Sequence, residues 1–132
     1  YGGELSAHHY FRDFAFCDSG MIPWLLIAEL VSKSGQSLAN LIGDRYMAFP
    51  SSGETNFHVK DAKESISRVL AAYREEAVSL DESDGLSLAF QDWRFNLRSS
   101  NTEPLVRLNI ESCGNASKLK AKVTDIANIL AE

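Results

Sequence analysis

The sequence predicts an α+β protein: a C-terminal, mostly antiparallel four-stranded sheet with two helices in the order β-α-β-β-β-α, preceded by a helical segment. Three observations carry this. Apolar residues alternate with polar ones in Leu86, Leu88 and Phe90, in Trp93, Phe95 and Leu97, and in Val106, Leu108 and Ile110, the period of strands with one buried face. Ala62, Ile66, Val69, Leu70 and Tyr73, and later Leu119, Val123, Ile126, Ala127 and Leu130, recur instead at helical spacing. Between the periodic runs stand turn-forming stretches such as Asp84-Gly85 and Ser99 to Pro104.

Taken in order, Ser19 to Lys33 reads as a helix, with Asp18 or Ser19 as cap, Pro23 in the first turn and Gly35 as terminator. Trp24, Leu25, Ile27, Ala28, Leu30 and Val31 cover more than one face of it, so it expects neighbours on two sides. Ser37 to Tyr46 is a shorter helix with Leu38, Leu41 and Ile42 as its stripe. "AFPSSGETN" has linker composition, which divides the chain into residues 1–50 and 51–132. Thr55 to Val59 is a short strand and Asp61 to Glu76 an amphipathic helix. Ala77 to Leu80 and Leu86 to Phe90 flank the turn "DESDG". The closing helix is capped by Asn115 or Ser117. Residues 51–132 make a complete small domain, with both helices most economically on one face of the sheet. The first fifty offer one loop and two helices with no sheet to lie on, unless chains associate through the apolar surface of Trp24, Leu25, Ile27 and Leu30.

Composition narrows the function. At 132 residues, 45% hydrophobic and 23% charged, the chain reads as an ordinary soluble globular protein. A net charge of -5 argues against nucleic acid or an anionic membrane as partner, so any anion site must be local. Cys17 and Cys113 share no metal-ligand spacing and read as free thiols of a reducing cytoplasm, with no metal site. No run is long enough to span a bilayer and no leader is visible. The chain opens on Tyr1 without a methionine, in what reads as the middle of a longer protein.

The stretch "LRSSNTEPLVRLN", Leu97 to Asn109, concentrates the chemistry. It joins two predicted strands, so it is a tight loop at the sheet edge. Arg98 can fork two N–H bonds onto a phosphate, while Ser100, Asn101 and Thr102 offer hydroxyl and amide donors and a backbone nest. On composition alone the more economical reading is a polar turn in which Ser and Asn bond their own backbone. Arg94, Asn96 and Arg107 lie on the solvent side of the alternation; they make either a solvated face or a wall of positive potential. Glu103 opposes an anion unless it faces outward or pairs with an arginine.

"RSSNTEP" resembles the phosphate-binding loop in the last domain of the α-D-phosphohexomutases, and "GGELSAHHYF" resembles the same family's sugar-binding loop. Leu5 stands where methionine is usual, a swap that conserves apolar volume. The resemblance extends through "DSGMIPWLLIAELV" and "FPSSGETNF" and is strongest to the bacterial phosphomannomutase type. It implies that Arg98, Ser100, Asn101 and Thr102 hold the non-reacting phosphate of a phosphorylated hexose. Glu4 and Ser6 would bind ring hydroxyls, and His8 would contact the sugar or assist proton movement. Residues 1–50 would be the end of a sugar-binding α/β third domain and 51–132 the phosphate-binding fourth, with the N-terminal domains as missing partners. The family's phosphoserine loop and magnesium loop have no counterpart in this sequence. Mg2+ and a hexose 1,6-bisphosphate intermediate are therefore implied for the full-length enzyme, with no catalytic nucleophile in this chain, which is expected to be inactive alone. Two alternatives stay open: phosphoglucomutase or dual specificity, and a free-standing phosphate- or sugar-binding module.

Overall fold

The structure, a computed structural model, describes residues 1–4, 6–100 and 103–131. The chain divides into two compact units, Tyr1–Gly43 and Asp44–Glu132.

The first unit opens with three very short strands, β1 (Gly2–Gly3), β2 (His9–Phe11) and β3 (Cys17–Asp18), paired antiparallel in the order β1-β2-β3. This corrects the expectation of a loop without a sheet. Strands of two and three residues are too short to print an alternation in sequence; they are made by backbone pairing and by turns whose residues hold left-handed conformations, Ala7 at φ 64°, Ala15 at 52° and Phe16 at 57°. Helix α1 (Met21–Ser34) follows. Asp18 does not cap it; the Ser19 Oγ accepts from the Ile22 N–H at 3.4 Å, and Gly35 closes it in the left-handed region with its N–H on the Val31 carbonyl. No residue of α1 is buried, and Trp24 is 61% and Leu25 55% exposed. Helix α2 (Leu38–Ala48), in which the division at Gly43 falls, begins where the Ser37 hydroxyl accepts from the Asn40 N–H.

The second unit contains β4 (Ser51–His58), α3 (Ala62–Tyr73), β5 (Ser79–Asp81), β6 (Leu86–Ala89), β7 (Trp93–Ser99), β8 (Leu105–Ser112) and α4 (Ala116–Ala131). The sheet is antiparallel throughout, in the order β4-β8-β7-β6-β5. It has five strands where four were expected. The added one, β5, is an exposed edge strand of three residues held by its hairpin with β6; the sequence marks Ala77 to Leu80 as one flank of that turn, but three wet residues carry too little apolar pattern to count as a strand of the sheet.

The alternation lands as expected. Leu86, Leu88, Phe95, Leu97, Val106, Leu108 and Ile110 are each at most 2% exposed and meet Val69 and Tyr73 of α3 and Leu119, Ile126 and Leu130 of α4 in one core. Each fully buried aliphatic or aromatic side chain contributes about 1.5–3 kcal/mol of transfer free energy. Asp61 caps α3 by accepting from the Glu64 N–H at 2.9 Å, and Asn115 caps α4 through the Lys118 N–H at 3.1 Å. With the helices on one face, the other is left to Arg94, Asn96, Arg98, Arg107, Asn109 and Glu111. No helix among the described residues is long and apolar enough to cross a membrane.

Candidate functional site

Each unit gathers one set of the residues singled out in the sequence, and each set is built by a hairpin.

In the first unit the chain turns between β1 and β2, whose pairing ends at Gly3 opposite His9. Backbone bonds from the Glu4 N–H to the His8 carbonyl and from the Ala7 N–H to the Glu4 carbonyl, both 3.0 Å, close the turn. Ala7 at φ 64° is strained for a residue with a Cβ. The turn brings Glu4, Ser6 and His8 together. One Glu4 oxygen accepts from the Ser6 hydroxyl at 2.9 Å, the other from the Tyr10 hydroxyl at 2.8 Å. These two bonds, Tyr10 first, hold the Glu4 carboxyl below its ordinary value, while Tyr10 is pushed up by donating to it. The His8 Nδ1 meets Asp18 Oδ2 at 2.8 Å, and Asp18 Oδ1 accepts from the His9 backbone N–H at 2.8 Å. The Asp18 carboxylate raises the His8 imidazole above its ordinary value, and the same contact, with the His9 N–H behind it, lowers Asp18. Every carboxylate oxygen has room for a second donor, so the hairpin presents a charged acceptor, a hydroxyl and a ring nitrogen, the set that hydrogen-bonds a polyol.

In the second unit the β7–β8 pairing runs past Ser99 opposite Val106 to a last bond from the Ser100 N–H to the Leu105 carbonyl at 2.9 Å, where the loop begins. Pro104 is tied to the neighbouring strand through the Val59 N–H on its carbonyl at 3.4 Å. Asn101 and Thr102 lie outside the described residues, as does Leu5 of the first loop. Glu103 faces outward, exposed, as expected if it is not to oppose an anion. Arg98 stands directly opposite Arg107 across the β7–β8 pair. Glu54 of β4 lies within 3.5 Å of Arg98 Nη2 and 3.8 Å of Arg107 Nη1, and Asp84 lies 3.7 Å from Arg98 Nη1. All three are ion pairs without hydrogen-bond geometry at full strength. The Arg107 Nε is buried with no hydrogen-bond partner among the described residues, and the Arg98 side chain is 30% exposed.

Local sequence explains these placements. The β4 strand bulges between Ser51 and Glu54, with Gly53 at φ 66° and the Ser52 Oγ accepting from the Ile110 N–H at 2.9 Å; the bulge re-aims Glu54. The β5–β6 turn approaches Arg98 so closely that a Cβ on Gly85 would sit 2.7 Å from the Leu97 carbonyl oxygen. Asn96 holds that turn by donating to the Asp84 carbonyl and the Ser87 hydroxyl, at 2.8 and 2.9 Å. Tyr10, Asp18, Glu54 and Asp84 were not found as site residues from sequence. Tyr10, Asp18 and Glu54 reach their partners through strand pairing and Asp84 through the β5–β6 turn, and no local signal carries that. Among the described residues no group of three or more His, Cys, Asp or Glu side chains could hold a metal ion.

The architecture is that of a known class. A crystal structure of a phosphoglucomutase/phosphomannomutase family protein from Burkholderia thailandensis superposes with a TM-score of 0.67 over 98% of this chain and 28% of that one, at 23% identity, a likeness of fold alone. The family profile "Phosphoglucomutase/phosphomannomutase, alpha/beta/alpha domain III" matches residues 1–49, and "Phosphoglucomutase/phosphomannomutase, C-terminal domain" matches residues 54–129. The chain belongs to the phosphoglucomutase/phosphomannomutase family. It is 61% identical to a protein of Xanthomonas campestris pv. campestris named for phosphohexose mutases, over 98% of this chain and 29% of that protein. It is 60% identical to a phosphomannomutase of Salmonella montevideo (98% and 28% covered) and 54% identical to one of Escherichia coli K12 (100% and 29% covered). The chain thus spans less than a third of the length of these relatives.

Proposed function

We propose that this chain is the phosphosugar-holding C-terminal part of a phosphomannomutase, which interconverts mannose 1-phosphate and mannose 6-phosphate. The observation that carries the reading is the Arg98–Arg107 pair. Two guanidiniums directly opposite one another repel, and the single carboxylate between them is loosely placed. A phosphate entering there meets two forked donors and satisfies the buried Arg107 Nε. Arg98 and Ser100, with Asn101 and Thr102 of the same loop, hold the phosphate that does not react. Glu4, Ser6 and His8 hold the hydroxyls of the ring, His8 next to a hydroxyl whose proton it can share. Names of relatives at 54–60% identity support mannose as the sugar.

The reaction needs a phosphoryl donor, and neither the phosphoserine loop nor the magnesium loop is written in these 132 residues. The donor chemistry, Mg2+ and the hexose 1,6-bisphosphate intermediate therefore belong to other domains of a cytoplasmic full-length enzyme. This chain supplies binding, orientation and positive charge, which account for much of the rate in phosphoryl transfer. The test is a titration with mannose 6-phosphate followed by backbone amide shifts. Shifts centred on Arg98 to Thr102 and on Arg107 are expected; shifts centred elsewhere, or the same shifts with inorganic sulfate at equal concentration and none added by the sugar, sink the reading.

A further inference from the structure

Resting on that reading of Glu4 and His8, we propose that Asp18 and Tyr10 are positioning residues: Asp18 fixes the ring orientation and tautomer of His8, and Tyr10 fixes the carboxylate of Glu4, so the sugar meets acceptors already set.

Tyr10 and Asp18 are direct partners across the β2–β3 pair, so their side chains leave the sheet on the same side. One reaches Glu4 and the other His8, the two ends of the hairpin turn. Asp18 is held at two points, with Oδ2 on the His8 ring and Oδ1 on the His9 backbone N–H, so it cannot rotate without losing both contacts. A carboxylate only accepts, so the proton of the neutral ring must reside on Nδ1. That leaves the Nε2 lone pair as the group offered to a sugar hydroxyl. The charged and titratable groups around His8 are Asp18 from β3, Glu4 from the turn, and His9 and Tyr10 from β2; His9 itself is engaged by the Tyr1 hydroxyl. Asp18 is not occupied at the start of α1, where the Ile22 N–H goes to the Ser19 hydroxyl.

The tautomer can be read directly by long-range 1H–15N correlation of the histidine rings in this chain, above the His8 titration. The wild-type His8 should show a single Nδ1–H tautomer. In Asp18→Asn the ring should become a mixture of tautomers, and its titration should fall back toward the ordinary histidine value of about 6.5. Tyr10→Phe should leave the His8 tautomer unchanged and move the Glu4 carboxyl titration upward. An Nε2–H tautomer in the wild type, or no change of tautomer and titration in Asp18→Asn, overturns the proposal. Should Asp18→Asn fail to fold, the wild-type tautomer still decides. These signals are read without ligand, so their outcome is separate from phosphosugar binding, which is read from amide shifts at Arg98.

Discussion

Arg98 of β7 and Arg107 of β8 face each other as directly opposed partners in an antiparallel pair, and Glu54 lies between their guanidiniums. Like charges so placed destabilise a sheet by roughly 0.2–1 kcal/mol, and the carboxylate offsets this at the expense of occupying the place an anion would take. Stability and binding should therefore respond to Glu54 with opposite signs. Glu54→Gln is expected to lower the unfolding free energy by about 0.5–1 kcal/mol while tightening mannose 6-phosphate binding several-fold. Urea denaturation and an amide-shift titration measure the two effects; weaker binding in the variant would show that Glu54 supports the site and does not compete for it.

Arg98→Lys keeps the charge and discards the fork. The native ion pairs of Arg98 lie at 3.5 and 3.7 Å, so the fold should lose less than about 0.5 kcal/mol. Binding should suffer more, because a single ammonium cannot place two parallel N–H groups on one phosphate. From a wild-type affinity in the millimolar range, about 4 kcal/mol, the variant is expected to bind roughly tenfold more weakly. Equal affinity for the two proteins would mean that Arg98 acts as a point charge alone.

The second unit was largely legible because its elements are long enough to print their period. The alternations of β6, β7 and β8 and the stripes of α3 and α4 located Phe95, Leu97, Leu108, Ile110 and Ile126 in the core, where all are at most 2% exposed. What failed was short. Ser79–Asp81 and the strands Gly2–Gly3 and Cys17–Asp18 hold two or three residues each, at most one and a half periods of a two-residue alternation, too few to establish it. The same limit explains the site. Arg98 and Ser100, like Glu4, Ser6 and His8, stand inside contiguous motifs. Glu54, 44 residues before Arg98, and Asp18, ten after His8, become neighbours only through pairing registers.

Gly85 should be the least replaceable glycine of the second unit. At φ 74° it occupies the left-handed region, and a Cβ there would stand 2.7 Å from both the Leu97 carbonyl oxygen and the Arg98 Cβ. Backbone strain and a clash against backbone atoms act together, so Gly85→Ala is expected to cost roughly 2–4 kcal/mol. Gly53, at φ 66° with nothing within 4 Å of its Cβ position, isolates the conformational part; Gly53→Ala should cost only about 1 kcal/mol. Urea denaturation of both variants gives the difference. A smaller cost at position 85 than at position 53 would show that the turn yields and that its approach to Arg98 is not constrained.

The His8–Asp18 contact sets a pH window for the first hairpin. His8 titrates above its ordinary 6.5 because Asp18 favours the charged ring, so what this contact contributes is fully present below 6.5 and declines as pH rises through the folded value above it. Asp18 titrates below its ordinary 3.8, so its contribution is present above 3.8 and is lost as pH falls through the lowered value. Between about 3.8 and 6.5 the charged pair is complete, and the hairpin should be tightest there. The reporter is the His9 amide, which donates to Asp18 Oδ1. Its exchange protection, corrected for the intrinsic pH dependence, should be maximal in that window and decline on both sides. The decline on the alkaline side should be partial, because the neutral ring with its proton on Nδ1 still donates to Asp18. Asp18→Asn should flatten the profile. A His9 protection that does not vary with pH in the wild type would show that the pair exerts no hold on the turn.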